Sequence, residues 1–327
     1  MKIGKLPESV LKRTVFKQLH TKRPEVLFGA GVGEDCAAIQ LAEDEIFVLS
    51  TDPITGTAKD IGHLAILVTL NDLATTGAEP VGVMMTLLLP ERIREVHIKK
   101  MIEQMEAQCR KYNVQIMGGH TEVTKVVTQP VISITGVGKV KKGQFIETGN
   151  AQIRDDIVVT KWVGLEGTSI IAKEKEEQLL SYYNKELVET AKNFDQYLSV
   201  ISEAATAVKF GIHAMHDVTE GGIFGALWEM AEASGIGLEV DLHKIPIKQE
   251  TVEICNYFEI NPYELISSGS MLIATSDGVT LVRELEKAGI HSAIVGKATK
   301  GKDRIVYNGE ETRYLEPPKT DEIYQVV

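Results

Sequence analysis

The chain has 327 residues, 43% of them hydrophobic and 25% charged, which suits about two domains with ordinary globular cores. Its formal net charge of −11 excludes the basic surface that nucleic-acid binding needs. No stretch approaches the ~20 apolar residues of a membrane span, and Met1 to Glu8 lacks the apolar core of a signal peptide, so a cytoplasmic location without a membrane partner is expected.

Taken in chain order, the first third alternates strand and helix signals. The glycine-rich stretch Gly29 to Gly33 leads into Glu34-Asp35-Cys36-Ala37. Ile46 to Leu49 is predicted as a strand that ends at Ser50-Thr51-Asp52, which sets Asp52 at a strand mouth. Gly62 to Ala78 carries apolar residues near helical spacing and is stopped by Gly77 and Pro80. Val81 to Leu89 reads as a buried strand closed by Pro90. Glu91 to Tyr112 reads as an amphipathic helix with Ile98, Met101, Ile102 and Met105 on one face. Val114 to Met117 is a strand running into Gly118-Gly119, and Val131 to Val137 is another, rich in β-branched residues.

The polar turn Gly149 to Asp156 marks a domain boundary, giving expected domains of 1–155 and 156–327. Beyond it, Ile157 to Thr160 reads as a strand and Gly164 to Thr168 as a glycine-marked turn into a helix. Residues 171–195 read as a charged, solvated helix. Ile201 to Phe210 and Gly222 to Ala233 read as helices, and Leu238 to Leu242, Ser270 to Ala274 and Ser292 to Val295 as strands of a second sheet. Cys36, Cys109 and Cys255 form no CxxC or zinc spacing and are expected as reduced, mostly buried thiols.

Five acidic islands carry the chemistry: Gly33 to Ala37, Ser50 to Pro53, Asn71 to Ala78, Gly118 to Glu122 and His216 to Gly222. Carboxylates set repeatedly beside Gly, Asn and Thr suit Mg²⁺, a hard cation that bridges protein oxygens to phosphates. Small neighbours let the backbone approach a polyphosphate. Read singly, Asp35 and Asp52 are also what turn-formers or N-caps look like. Asn71-Asp72 inside an apolar helix is different, because two polar residues there must find partners. Gly118 and Gly119 offer backbone to phosphate, with Thr121 and Glu122 adding oxygens. Asp217 and Glu220, three apart at an expected helix start, can converge on one ion, with Thr219 and Gly221 beside them; an N-cap and a close packing point are the other reading. There is no GxxxxGK[ST], so nucleotide binding would not use a P-loop.

The ordered set of islands resembles the AIR synthetase (PurM-like) superfamily, which includes AIR synthetase, the hydrogenase maturation factor HypE, thiamine-monophosphate kinase and selenophosphate synthetase. Asn71 to Ala78 followed by Glu79-Pro80 is similar to the family's Asn-Asp-Leu-Ala-x-x-Gly-Ala-x-Pro helix, and His216 to Gly222 is most similar to HypE. The resemblance implies an α/β (α+β) fold of two domains: an N-terminal mixed-sheet domain that dimerises and a C-terminal α/β sandwich. It also implies ATP and Mg²⁺ held by metal ligands Asp35, Asp52, Asp72, Asp217 and Glu220. Asn71, Gly118, Gly119, Thr121, Thr219 and Gly221 would shape the nucleotide site, and Asp72, His120 and Asp217 would serve catalysis.

The expected activity is ATP-dependent activation of a substrate oxygen by phosphoryl transfer, on an unidentified small molecule or protein. A nucleotide-binding sensor or scaffold on the same fold is the alternative. Gly118-Gly119-His120 departs toward selenophosphate synthetase, leaving Glu122 as the substitute carboxylate. HypE carries a tail cysteine that accepts a carbamoyl group, whereas this chain reads Asp321 to Val327 there and has no cysteine after Cys255. No carbamoyl transfer onto this chain is therefore expected, and the tail is expected to pack on the second domain.

Overall fold

The computed structural model describes residues 4–5, 8–30, 37–54, 60–317 and 319–327. It divides into two compact units, one of residues 1–74 and 78–145 and one of 75–77 and 146–327.

The first unit contains the strands β1 (Gly4–Lys5), β2 (Val26–Phe28), β3 (Ala38–Ile39), β4 (Glu45–Ile54), β5 (Glu79–Pro90), β6 (Gln115–Thr124) and β7 (Val131–Lys141). Its helices are α1 (Glu8–Thr14), α2 (Ile61–Thr75) and α3 (Glu95–Tyr112). Five strands form one mixed sheet in the order β1-β6-β5-β7-β4, with β5 and β6 parallel and the other pairs antiparallel.

Period-two alternation gives this sheet two unlike faces. On the inner face Val48, Val83, Met85, Leu87, Ile132 and Ile134 are buried. Helix α2 lies there, close enough that a side chain at Gly136 of β7 would strike Thr69. Helix α2 is apolar nearly all round because it is covered on more than one side: a Cβ at Gly62 would lie 2.4 Å from the Met101 carbonyl oxygen of α3. On the open face Phe47 and Leu49 of β4 are exposed at 49% and 65%.

The segment before β2 is pinned by a buried arginine. Arg23 donates to Glu25, Glu79 and the carbonyls of Pro80 and Asn113, and Lys139 adds an ion pair to Glu25 at 2.8 Å. These cations, Arg23 foremost, hold the Glu25 carboxyl well below the usual carboxylate range.

The second unit has a seven-stranded sheet built from β8 (Asp156–Thr160), β9 (Ile212–Val218), β10 (Gly237–Asp241), β11 (Ser270–Thr275), β12 (Ser292–Thr299), β13 (Arg304–Asn308) and β14 (Glu311–Tyr314). The strand order is β14-β13-β10-β12-β8-β11-β9. The helices are α4 (Leu165–Glu174), α5 (Glu176–Leu180), α6 (Lys185–Lys192), α7 (Ile201–Ala207), α8 (Gly222–Ser234), α9 (Gln249–Phe258) and α10 (Gly278–Lys287).

Two cores stabilise this unit. One joins the sheet to α8 through Val159, Val218, Ile223, Leu227, Met230 and Leu272. The other gathers Ile171, Leu179, Val188, Ile254, Leu265 and Ile323 from α4, α5, α6, α9, the segment between α9 and β11, and the C-terminal segment. Fully burying such aliphatic side chains contributes roughly 1.5–3 kcal/mol each.

Several expected elements differ. Strand β4 continues through Asp52 and Pro53 to Ile54, so Asp52 is a strand residue. Residues 171–195 form the end of α4, α5, α6 and a 3-10 turn where one helix is expected, and β9 occupies part of the acidic stretch at 216–218. Cys109 and Cys255 are free and buried, one in each unit; Cys36 lies outside the described residues. Burial pushes both thiols up, Cys255 to about 12. No helix among the described residues is long and apolar enough to cross a membrane.

Candidate functional site

In the first unit the strand and helix bring two of the expected acids together. Ser50 and Asp52 alternate onto the inner face of β4, and Asp72 projects from α2. The Ser50 hydroxyl donates to the Asp72 carboxylate in a short hydrogen bond and lies 3.4 Å from the Asp52 carboxylate. Asp52 and Asp72 are half-buried, whereas Asn71, the preceding residue on α2, is fully buried. Two carboxylates tethered by one hydroxyl, with solvent access, form an all-oxygen donor set suited to a hard cation. Asp35 lies outside the described residues.

The glycine-histidine island is strand, not loop. Gly118 to Glu122 lie within β6 and pair in parallel with Met84 to Leu88 of β5. Alternation puts Gly119 and Thr121 on the inner face and Gly118, His120 and Glu122 on the open face, opposite Asp52 and Asp72. His120 Nε2 and Glu122 Oε2 are 3.2 Å apart, both side chains partly exposed. Gly119, on the same lateral row as Asp52, is three strand spacings away, roughly 14 Å. Its φ of +144° and the 1.8 Å approach of a Cβ to the Met85 oxygen make glycine obligatory there.

In the second unit Asp217 is the penultimate residue of β9 and Glu220 lies in the loop before α8, which starts at Gly222. They do not share a helix turn, so i,i+3 spacing does not bring their carboxylates together. Asp217 is buried and Glu220 exposed. The loop is nonetheless cross-linked by backbone hydrogen bonds. The Thr219 carbonyl accepts from the Gly222 and Ser267 amides, and the Tyr263 carbonyl accepts from Phe224. Gly221 and Gly222 have φ of +83° and +61°, and a Cβ on Gly222 would sit 2.6 Å from the Tyr263 oxygen.

Two acids that sequence reasoning missed converge on this loop. Glu166, in the first turn of α4, is buried; it accepts hydrogen bonds from Ser268, and its Oε2 has no hydrogen-bond partner among the described residues. Burial above all pushes it up to about 7, the charges of Asp321 and Asp217 adding to this and the bond from Ser268 opposing it. Asp321, also buried, accepts from the Gly221 amide at 2.7 Å and the Ile323 amide at 2.9 Å. A sequence signal existed for Glu166, a glutamate between two glycines at a strand-to-helix turn; for Asp321, distant by 100 residues from its partner, there was none. A cavity of about 160 Å³ opens beside the loop, lined by Gly221, Phe224, Asn261, Glu264, Arg313 and Lys319 among others. Among the described residues no three His, Cys, Asp or Glu side chains are placed to hold one metal ion.

The chain matches the N-terminal domain of the AIR synthase related proteins over residues 33–140 and their C-terminal domain over residues 155–308. It is 30% identical over 307 residues to a Methanocaldococcus jannaschii protein named for hydrogenase expression/formation, covering 91% of this chain and 89% of that one. To the carbamoyl dehydratase HypE of Cupriavidus necator it is 27% identical over 278 residues, 79% of this chain and 76% of the relative. The crystal structure of E. coli HypE superposes with a TM-score of 0.83 at 20% identity, covering 98% of this chain and all of that one. A structure of HypE in complex with ATP gives a TM-score of 0.78 at 19% identity, over 98% of this chain and 97% of that one.

Proposed function

We propose, since the chain belongs to the AIR synthase related protein family, that it is an ATP- and Mg²⁺-dependent enzyme that activates a substrate oxygen by phosphoryl transfer, a paralogue of the hydrogenase maturation factors. The observation that carries the reading is the Ser50-tethered pair of Asp52 and Asp72. Its half-buried oxygens suit Mg²⁺, and a pair in place of a closed cage suits an ion that keeps waters and phosphate oxygens in its shell. When bound, Mg²⁺ supplies neutralisation of phosphate charge. In this chain Asp52 and Asp72 would hold it, with Ser50 orienting the Asp72 carboxylate and buried Asn71 beside it on α2. The Asp217–Gly222 loop contacts nucleotide in the second unit. His120 and Glu122, on the far face of the sheet, stand outside this ligand set. Dehydration of a carbamoyl group, the chemistry named for the Cupriavidus necator relative, is one instance of such oxygen activation. We place the reaction in the cytoplasm.

Calorimetric titration with Mg-ATP tests the assignment. Asp72→Asn should weaken binding about tenfold or more while shifting the unfolding midpoint by no more than about 2 °C. Unaltered binding in that variant refutes the site. Tight binding without turnover across candidate substrates would instead favour a nucleotide sensor. The exposed Phe47 and Leu49 on the open sheet face support a homodimer through the first unit, and a monomeric mass by light scattering would contradict it.

A further inference from the structure

A helix leaves its first amides without intrahelical acceptors, and a polar side chain at the N-cap ordinarily takes one of them. Helix α8 begins after Gly221, which has no side chain to offer. The Tyr263 carbonyl takes the third helical amide, Phe224, and the cap residue's own N–H finds its acceptor 100 residues further on: Asp321 Oδ2 takes the Gly221 N–H at 2.7 Å while Oδ1 takes that of Ile323 at 2.9 Å. Asp321 also accepts from the Ile266 amide, so one carboxylate joins the loop at 219–222 to the segment at 261–268.

The residues after Asp321 continue the clamp. Ile323 enters the core of Ile171, Leu179, Ile254 and Leu265, and Val326 packs against it. The Glu322 carboxylate accepts from the Asn261 amide at 3.2 Å. The Tyr324 phenol bonds to Glu220, whose charge raises the phenol pKa. The segment 321–327 thus touches the loop at both Gly221 and Glu220.

We propose that Asp321 is a positioning residue for nucleotide binding, and that the segment 321–327 is a latch holding the Asp217–Gly222 loop in its ligand-ready shape. This rests on the nucleotide reading above. The loop's two left-handed glycines give it wide conformational freedom when unrestrained. A buried carboxylate with three backbone donors removes that freedom before the ligand arrives, so the ordering entropy is not charged to binding.

Three variants separate positioning from stability, each read by Mg-ATP calorimetry and by hydrogen exchange at the Gly221 amide. Asp321→Ala should speed Gly221 exchange and weaken Mg-ATP about tenfold. Asp321→Asn keeps an acceptor oxygen and should recover affinity to within about threefold of wild type. Ile323→Ala loses core packing and lowers the unfolding midpoint, yet leaves the Asp321–Gly221 bond in place. Its affinity should stay within about twofold of wild type.

Affinity that falls in step with stability in all three variants overturns the proposal, as does Asp321→Ala with unchanged Gly221 exchange. Wild-type protein that fails to bind Mg-ATP sinks the nucleotide reading and the ligand half of this inference with it. The exchange measurement still decides the latch by itself.

Discussion

The two units each gather carboxylates, and they treat them in opposite ways. Around Ser50 the acids Asp52 and Asp72 are half-buried, tethered by one hydroxyl and open to water. Around the α8 N-terminus Glu166, Asp217 and Asp321 are buried, and Glu166 and Asp321 accept from backbone amides of neighbouring loops. The first arrangement keeps its carboxylates within reach of solvent. In the second, Asp321 is committed to backbone donors that hold loops, and burial pushes Glu166 up to about 7. An acidic cluster therefore suits a hard cation only where its carboxylates reach solvent.

The sharpest way to break this comparison is to spoil the packing that the buried cluster serves. Gly222→Ala combines a left-handed φ with a Cβ 2.6 Å from a backbone oxygen. It should destabilise the second unit by about 3–5 kcal/mol in urea unfolding. A loss under about 1 kcal/mol would show that the loop yields easily.

Next is the buried acid itself. The folded pKa of Glu166, about 7, lies above its ordinary 4.5. Below 4.5 both folded and unfolded chains hold this proton, and the stability it contributes is fully present. As pH rises toward 7 the unfolded chain gives the proton up while the fold retains it, so stability falls by about 3 kcal/mol and then levels off. Glu166→Gln should flatten that decline. Parallel unfolding curves for both proteins between pH 5 and 8 would place the titration elsewhere.

The smallest effect belongs to the open cluster. Ser50→Ala removes a hydroxyl between two partly solvated carboxylates and should cost about 1 kcal/mol or less in the first unit. A loss as large as that of Gly222→Ala would mean that the two clusters are built alike after all.

Much of the framework was legible before any coordinates. Long periodic segments such as β5, α3 and β7 declared themselves, because Val81 to Leu89 and Ile98 to Met105 carry uninterrupted apolar patterning. Asn71-Asp72 was readable as a paradox, polar residues in an apolar helix. Strand parity could have separated His120 from Thr121, since consecutive residues of β6 must face opposite ways. Helix α10 also left a signal in Asp277, which caps it by accepting from Thr280. The Ser50 tether and the Asp321 clamp were not readable, because each joins residues far apart in sequence whose meeting is decided by packing. The start of helix α8 at Gly222 was legible, but Glu220 lies in the loop before it, so its spacing from Asp217 carried no convergence.

The burial of Cys109 and Cys255 has a kinetic consequence. One thiol stands within the core of each unit, each too shielded and too weakly acidic to meet an alkylating reagent while the surrounding structure is closed. In a variant with Cys36 replaced by serine, labelling at each site would report how often that unit opens. The chain thus carries two internal clocks, one for the half that holds the open carboxylates and one for the half that is latched.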